Sequence, residues 1–211
     1  MYKHSKQLVS AGLSLQEAKK AIIMLHGRGA TAEGIISLAG HFNLGDAAIL
    51  APSASNNSWY PYSFMVPEEQ NQPALDLALE IIDGLVEDIE ASGIPRNKIY
   101  FSGFSQGACL SLEYVARYAA AYGGIIAFTG ALIGQELDIS KYKGDFQSTP
   151  ILITTGNPDP HVPLSRVEES VAVLEKLNAE VMLKVYNGRA HTIQHEEIQL
   201  ANEWVLAGKR Y

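Results

Sequence analysis

Short apolar runs alternate along this chain with stretches in which apolar residues recur every three or four positions. The runs at residues 19–26 (KKAIIMLH), 47–52 (AAILAP), 98–104 (KIYFSGF), 123–132 (GGIIAFTGAL), 150–157 (PILITTGN) and 181–187 (VMLKVYN) predict six strands. Helical spacing predicts helices over residues 31–42, 106–120, 164–177 and 193–206. The clearest helix covers residues 73–90. Leu75, Ala78, Leu79, Ile82, Leu85, Val86 and Ile89 make its apolar face, and Asp76, Glu80, Asp83, Glu87 and Glu90 a solvated acidic stripe. Asn71 is the expected N-cap, Pro73 suits the first turn, and Gly93 and Pro95 stop the helix. Uninterrupted apolar strands alternating with helices imply an α/β fold: a mostly parallel central sheet with helices on both faces. Two stretches, residues 53–72 and 133–149, lack periodicity and follow strands. Ligands of a parallel sheet bind outside the carboxyl ends of its strands, so both are expected to wall a pocket.

Length and composition narrow this picture. At 211 residues, with 47% hydrophobic and 18% charged positions, the chain is expected to form one globular domain over residues 1–211 with no separate lid domain. The net charge of −7 argues against a nucleic-acid partner, which would need a basic face. A lone cysteine, Cys109, permits no internal disulfide and reads as a small buried apolar residue. No apolar run matches a signal-peptide core or a membrane span, so stable membrane insertion is not expected and the default location is cytoplasmic. Tyr114, Tyr118 and Tyr122 recur every four residues as a packing stripe.

The candidate chemistry begins at Gly103-Phe104-Ser105-Gln106-Gly107. This matches G-x-S-x-G, with an apolar strand running in and a helix running out, as a nucleophile elbow requires. A side chain at position 103 or 107 would collide with the neighbouring helix or strand, which is why glycine stands there. A serine hydroxyl needs a base. Of the six histidines, His191 in Gly188-Arg189-Ala190-His191-Thr192 follows the last strand on the correct side of the sheet. His195 falls inside the next helix, His161 lies between two prolines, and His26, His41 and His4 sit elsewhere. The acidic partner is expected at Asp159, at the exit of the fifth strand, because the rivals Asp138 and Asp145 precede a strand. Ser105, Asp159, His191 is the chain order of the α/β-hydrolases. Oxyanion donors are expected from the backbone N–H of Gln106 and from the first strand's exit loop, His26-Gly27-Arg28-Gly29-Ala30, with Arg28 the leading candidate. Asp159 with His161 lacks a third ligand at a recognisable spacing, so no metal is expected.

LHGRGA, GFSQG, GNPDPHVP and GRAHT together resemble the phospholipase/carboxylesterase group of α/β-hydrolases, over residues 21–204. The resemblance implies a minimal hydrolase with a Ser105–Asp159–His191 triad, an oxyanion hole from Arg28 and Gln106, and no cofactor. HGRGA in place of the HGLGD of eukaryotic thioesterases, and Ser58-Trp59-Tyr60-Pro61, fit the bacterial carboxylesterase branch more closely. The expected function is hydrolysis of short to medium acyl esters, with Trp59 and Tyr60 crowding the substrate slot. Lysophospholipase and acyl-protein thioesterase activity are the rivals within the family, and a catalytically silent binding module the rival outside it. The expected partner is a small-molecule ester, and a homodimer is left open.

Overall fold

The sheet of the computed structural model is built from strands whose two faces are both apolar. In β2 (Lys20–Leu25) side chains alternate, so Ile22 and Met24 enter one core and Ile23 and Leu25 the other. The structure describes His4 and residues 7–207. The ends of the expected 1–211 domain, and part of the N-terminal stretch read for a targeting segment, lie outside the described residues.

Among the described residues seven strands form one sheet in the order β1-β3-β2-β4-β5-β6-β7. The others are β1 (Leu8–Gly12), β3 (Ala47–Pro52), β4 (Ile99–Phe104), β5 (Gly124–Phe128), β6 (Pro150–Asn157) and β7 (Glu180–Asn187). β1 runs antiparallel to β3, and every other pairing is parallel. Helices α1 (Ala32–Ile36) and α5 (His195–Leu200) cover the face of Ile22, Met24, Ile126 and Leu152. Helices α2 (Ala74–Ala91), α3 (Gln106–Arg117) and α4 (Leu164–Lys176) cover the face of Ile23, Phe101, Ile125 and Ile153. Each fully buried Ile or Leu contributes roughly 1.5–3 kcal/mol, so apolar residues on both faces favour a sheet sandwiched between helix layers. The fold is that of an α/β-hydrolase without a large lid insertion. No helix among the described residues is long and apolar enough to cross a membrane.

Several elements differ from the sequence expectation, each for a local reason. β1 was not expected. Its LVSAG is largely solvent-exposed, and its partner, not its own pattern, makes it a strand. The helix expected over 31–42 is one short α-helix followed by a tighter 3-10 turn, Ser37–His41. Thr31 caps it by accepting the Gly34 N–H at 3.1 Å, and the Ser37 hydroxyl donates to the Gly34 carbonyl at 2.7 Å, competing with the helical ladder. α3 stops at Arg117 because the Ala119 N–H turns to the Lys143 carbonyl at 3.0 Å. β5 stops at Phe128 because Thr129 takes a φ of 58°. The last helix starts at His195 behind a Gln194–Glu197 capping box and widens into a π-helix over Ala201–Leu206. Asn71 is not the cap of α2. It is fully buried, accepts the Tyr62 N–H at 2.9 Å and donates to the Ser63 carbonyl at 2.9 Å, pinning the loop above the site. The acidic stripe of α2 is mostly solvated, although Asp83 accepts the Tyr114 hydroxyl and Glu90 pairs with Arg96.

Candidate active site

β4 is the central strand of the sheet, and its end delivers Ser105. Ser105 sits at φ 53°, ψ −117°, outside the regions an L-residue prefers, between the last residue of β4 and the first of α3. Two glycines permit the turn. A Cβ at Gly103 would lie 2.4 Å from the Gly107 carbonyl oxygen, and one at Gly107 would lie 2.0 Å from the Leu25 carbonyl oxygen. The Ser105 N–H is held by the Phe128 carbonyl of the next strand at 3.0 Å. The turn is therefore clamped on three sides by β2, β5 and α3.

β6 and β7 are neighbours in register, Asn157 opposite Asn187, so the loops that leave them emerge side by side. Asp159 follows the first and His191 the second. His191 Nε2 lies 2.9 Å from Ser105 Oγ, and His191 Nδ1 lies 2.9 Å from Asp159 Oδ2. The other Asp159 oxygen accepts the backbone N–H groups of His161 and Val162, both at 2.9 Å. Burial pushes the Asp159 carboxyl up. The hydrogen bonds from His191, His161 and Val162 outweigh it and hold the group below the ordinary carboxylate range. An ionised carboxylate in that position orients an imidazole so that its far nitrogen can take a proton from a hydroxyl.

The rivals for the acidic position have other partners. Asp138 caps the Ile139–Lys141 turn, and Asp145 accepts the Gln147 N–H. Of the other histidines, His195 is exposed on α5 and His26 is buried, accepting the Ala54 N–H at Nε2. His161 stands edge-on to His191, with ring centroids 4.9 Å apart.

Ser105 and His191 open into a cleft of about 490 Å³. Buried Tyr60, Phe64, Cys109 and Val162 form its floor, and exposed Arg28, Tyr62 and His161 its rim. The Tyr60 hydroxyl and the Cys109 thiol both belong to this floor. Burial holds both well above their usual pKa, the thiol at about 12, so Cys109 stays a neutral thiol. The strand-exit loop after β2 passes directly over the elbow, close enough that a Cβ at Gly27 would lie 3.5 Å from Ser105 Cβ. The Arg28 side chain turns away and grips the far loop, donating to the carbonyls of Pro61 at 2.7 Å and Tyr62 at 2.6 Å.

The sequence profile of the phospholipase/carboxylesterase family matches residues 12–207. The chain belongs to that family. A crystal structure described as a phospholipase/carboxylesterase from Dyadobacter fermentans superposes with a TM-score of 0.96 at 63% identity, covering 98% of this chain and 99% of that one. Acyl-protein thioesterase 1 of Debaryomyces hansenii is 30% identical, covering 93% of this chain and 94% of the relative. A probable carboxylesterase of Arabidopsis thaliana, SOBER1-like, is 27% identical, covering 89% and 78%. This member of the phospholipase/carboxylesterase family is thus a hydrolase of the esterase type.

Two expectations about the walls of this hydrolase's cleft are corrected. Trp59 does not line it. The indole is fully buried, donates from Nε1 to the His26 carbonyl at 2.9 Å and packs on the His26 ring at 5.0 Å, behind the strand-exit loop. Tyr60, its neighbour, does reach the cleft. Nor does the 133–149 stretch form a wall. It packs behind the first loop, with the Gly134 N–H donating to the Phe64 carbonyl at 2.8 Å. Buried Glu113 ties it down by accepting the Ile133 N–H at 2.9 Å and the Tyr142 hydroxyl at 3.1 Å.

Three features of the hydrolase were missed in the sequence. Phe104, the residue before the serine, packs its ring 5.1 Å from that of His191. Gln106 uses its side chain as well as its place in the chain: Oε1 accepts the Trp59 N–H at 2.9 Å and Nε2 donates to the Tyr60 carbonyl at 2.8 Å. Arg189, two residues before His191, is buried. It donates to Thr129 Oγ1 at 2.6 Å and to the Thr192 carbonyl, and lies 3.6 Å from the buried Glu197 carboxylate. Glu197 in turn accepts the Thr154 hydroxyl and the Gln194 N–H. The histidine loop is thereby bolted to the residue after β5 and to the middle of β6. The only sequence signal for it is an Arg in an otherwise small-residue loop, and no period marks its partner.

Proposed function

We propose that this enzyme is a serine carboxylesterase acting on short to medium acyl esters. The observation that carries the reading is the pair of 2.9 Å contacts linking Asp159, His191 and Ser105 at the mouth of a mostly apolar cleft. Ser105 Oγ attacks the acyl carbon while His191 Nε2 takes its proton, and Asp159 holds His191 by Nδ1 and stabilises the imidazolium. The backbone N–H groups of Gln106, at the start of α3, and of Arg28, on the loop over the elbow, receive the oxyanion. His191 then gives its proton to the departing alcohol, and water releases the acid from Ser105 by the same route in reverse.

The acyl-length reading rests on the floor of the cleft. Tyr60, Phe64 and Cys109 close it below Ser105, so an acyl chain meets packed side chains instead of an open channel. A lone buried Cys suits a reducing compartment such as the cytoplasm. The resemblance to a yeast acyl-protein thioesterase supports a second reading, in which the scissile bond is a thioester.

A fluorophosphonate probe and a panel of p-nitrophenyl esters with matched thioesters test these readings together. The expected result is labelling on the peptide containing Ser105, loss of labelling and turnover in Ser105→Ala, and rates that rise with acyl length and then drop. An adduct on Ser102 or Ser111, or full activity in Ser105→Ala, removes the assignment. A maximum at long fatty-acyl thioesters selects the second reading.

A further inference from the structure

A second, shallower cleft of about 350 Å³ lies on the other side of the elbow. Ile35 and Leu38, of α1 and the turn after it, face Phe104 and Ile193 across it, with Ser37 and His41 at its outer rim. Among the described residues no carboxylate, lysine or arginine lines it. It is not a detached surface groove. It shares Gly27, Ala30 and Phe104 with the cleft that holds Ser105 and His191, so the two meet along the strand-exit loop and the residue before the nucleophile.

We infer that this second cleft is the leaving-group subsite, built for the apolar, uncharged alkyl or aryl alcohol half of the ester. The inference rests on the esterase reading above and deepens it. Its warrant is the direction in which the alcohol departs. As the bond from Ser105 Oγ to the acyl carbon forms, the bond from that carbon to the alcohol oxygen breaks. The proton taken from Oγ passes from His191 Nε2 to the same oxygen, so the alcohol leaves from beside His191. Neither Ser105 nor His191 lines the second cleft, but two of its lining residues adjoin His191. Phe104 packs on the His191 ring at 5.1 Å, and Ile193 follows two residues after it. The first cleft holds Ser105 and His191 and runs on to Tyr60, Phe64 and Cys109, and these three do not border the second. The two halves of an ester therefore find separate apolar surfaces, divided by the Gly27–Ala30 loop over the elbow. The missing charges select the alcohol's class. A cationic headgroup would find no carboxylate in this lining, whereas each buried methylene can raise the rate by up to about fourfold.

The test separates the two halves of the substrate. In one series the acid is held at butyrate and the alcohol grows from methyl to hexyl. In the other the alcohol is held at methyl and the acid grows. Hydrolysis is followed by pH-stat for the wild type, Leu38→Asp, which makes the cleft hostile, and Leu38→Trp, which fills it. In the wild type kcat/KM is expected to climb along the alcohol series by severalfold in total. Leu38→Asp should flatten that slope and Leu38→Trp should end it at shorter alcohols, while both keep the wild-type slope along the acid series. An alcohol series that is flat in the wild type, or equally steep in both variants, overturns the subsite and leaves the esterase intact. A change confined to the acid series assigns the cleft to the acyl half and also overturns it. If the wild type neither hydrolyses any ester nor reacts with a fluorophosphonate, the esterase reading fails and the subsite with it.

Discussion

Gln106 and Trp59 are joined across the site: the Gln106 carboxamide oxygen accepts the Trp59 backbone N–H at 2.9 Å, and its nitrogen donates to the Tyr60 carbonyl at 2.8 Å. The residue after Ser105 therefore holds the loop that carries Tyr60 into the cleft, and Arg28 grips the same loop two residues further on. The two proposed oxyanion residues also set the position of the cleft wall. Gln106→Ala keeps the backbone N–H and loses both contacts. Its kcat/KM is expected to fall by up to about a hundredfold, the scale on which small displacements act. Steady-state kinetics with ester substrates would show this, and wild-type values would mean that the loop is positioned without Gln106.

Asp159→Asn should cost about 10⁴ in turnover, as the neutral side chain no longer enforces the His191 tautomer. Asp138→Asn and Asp145→Asn should change turnover only a few-fold, since their partners are local turns. A larger loss in Asp145→Asn than in Asp159→Asn would reassign the acid.

The same carboxylate predicts a pH dependence of stability. Its folded pKa is depressed, so its contribution is fully present above the unfolded value of about 3.9. It is lost as pH falls from there through the folded value. Urea unfolding at pH 7 and near pH 3 should show a stability gap between wild type and Asp159→Asn that narrows in acid. A gap that widens in acid contradicts the depressed pKa.

Arg189 and Glu197 are both buried, 3.6 Å apart, so removing one leaves the other charged without its partner. Arg189→Met is expected to destabilise the fold by about 3–5 kcal/mol. Adding Glu197→Gln should recover part of that loss. Denaturant midpoints for the single and double variants measure the coupling, and strictly additive losses would show there is none.

Trp59→Ala belongs with the core substitutions. Loss of the indole and its bond to the His26 carbonyl should cost about 3–5 kcal/mol. The acyl-chain profile should keep its maximum, because the indole lies behind the loop and not in the cleft. A thermal melt with a chain-length series checks both halves. A shifted maximum at wild-type stability would return Trp59 to the substrate wall.

Much of this protein is written in local chemistry. Six strands follow from short apolar runs that stay apolar on both faces, a pattern that only a covered parallel sheet satisfies. The elbow follows from two glycines spaced so that no side chain meets β2 or α3, and the order Ser105, Asp159, His191 from three strand exits on one side of the sheet. The strand runs and the elbow are carried by residues close together in the chain, where sterics and period act directly.

Tertiary structure alone decided the rest. β1 becomes a strand because β3 offers an unpaired edge, and nothing in LVSAG demands it. Trp59 and Tyr60 are adjacent and both aromatic, yet one packs behind the strand-exit loop and the other reaches the cleft, and only the packed loop decides which. The Arg189–Glu197–Thr154 bolt and the Gln106–Trp59 clasp join residues from separate elements, and sequence periodicity has no term for such pairs. A pattern read along the chain reports which face of an element is buried. Which particular side chains meet across the core is settled only when the elements pack.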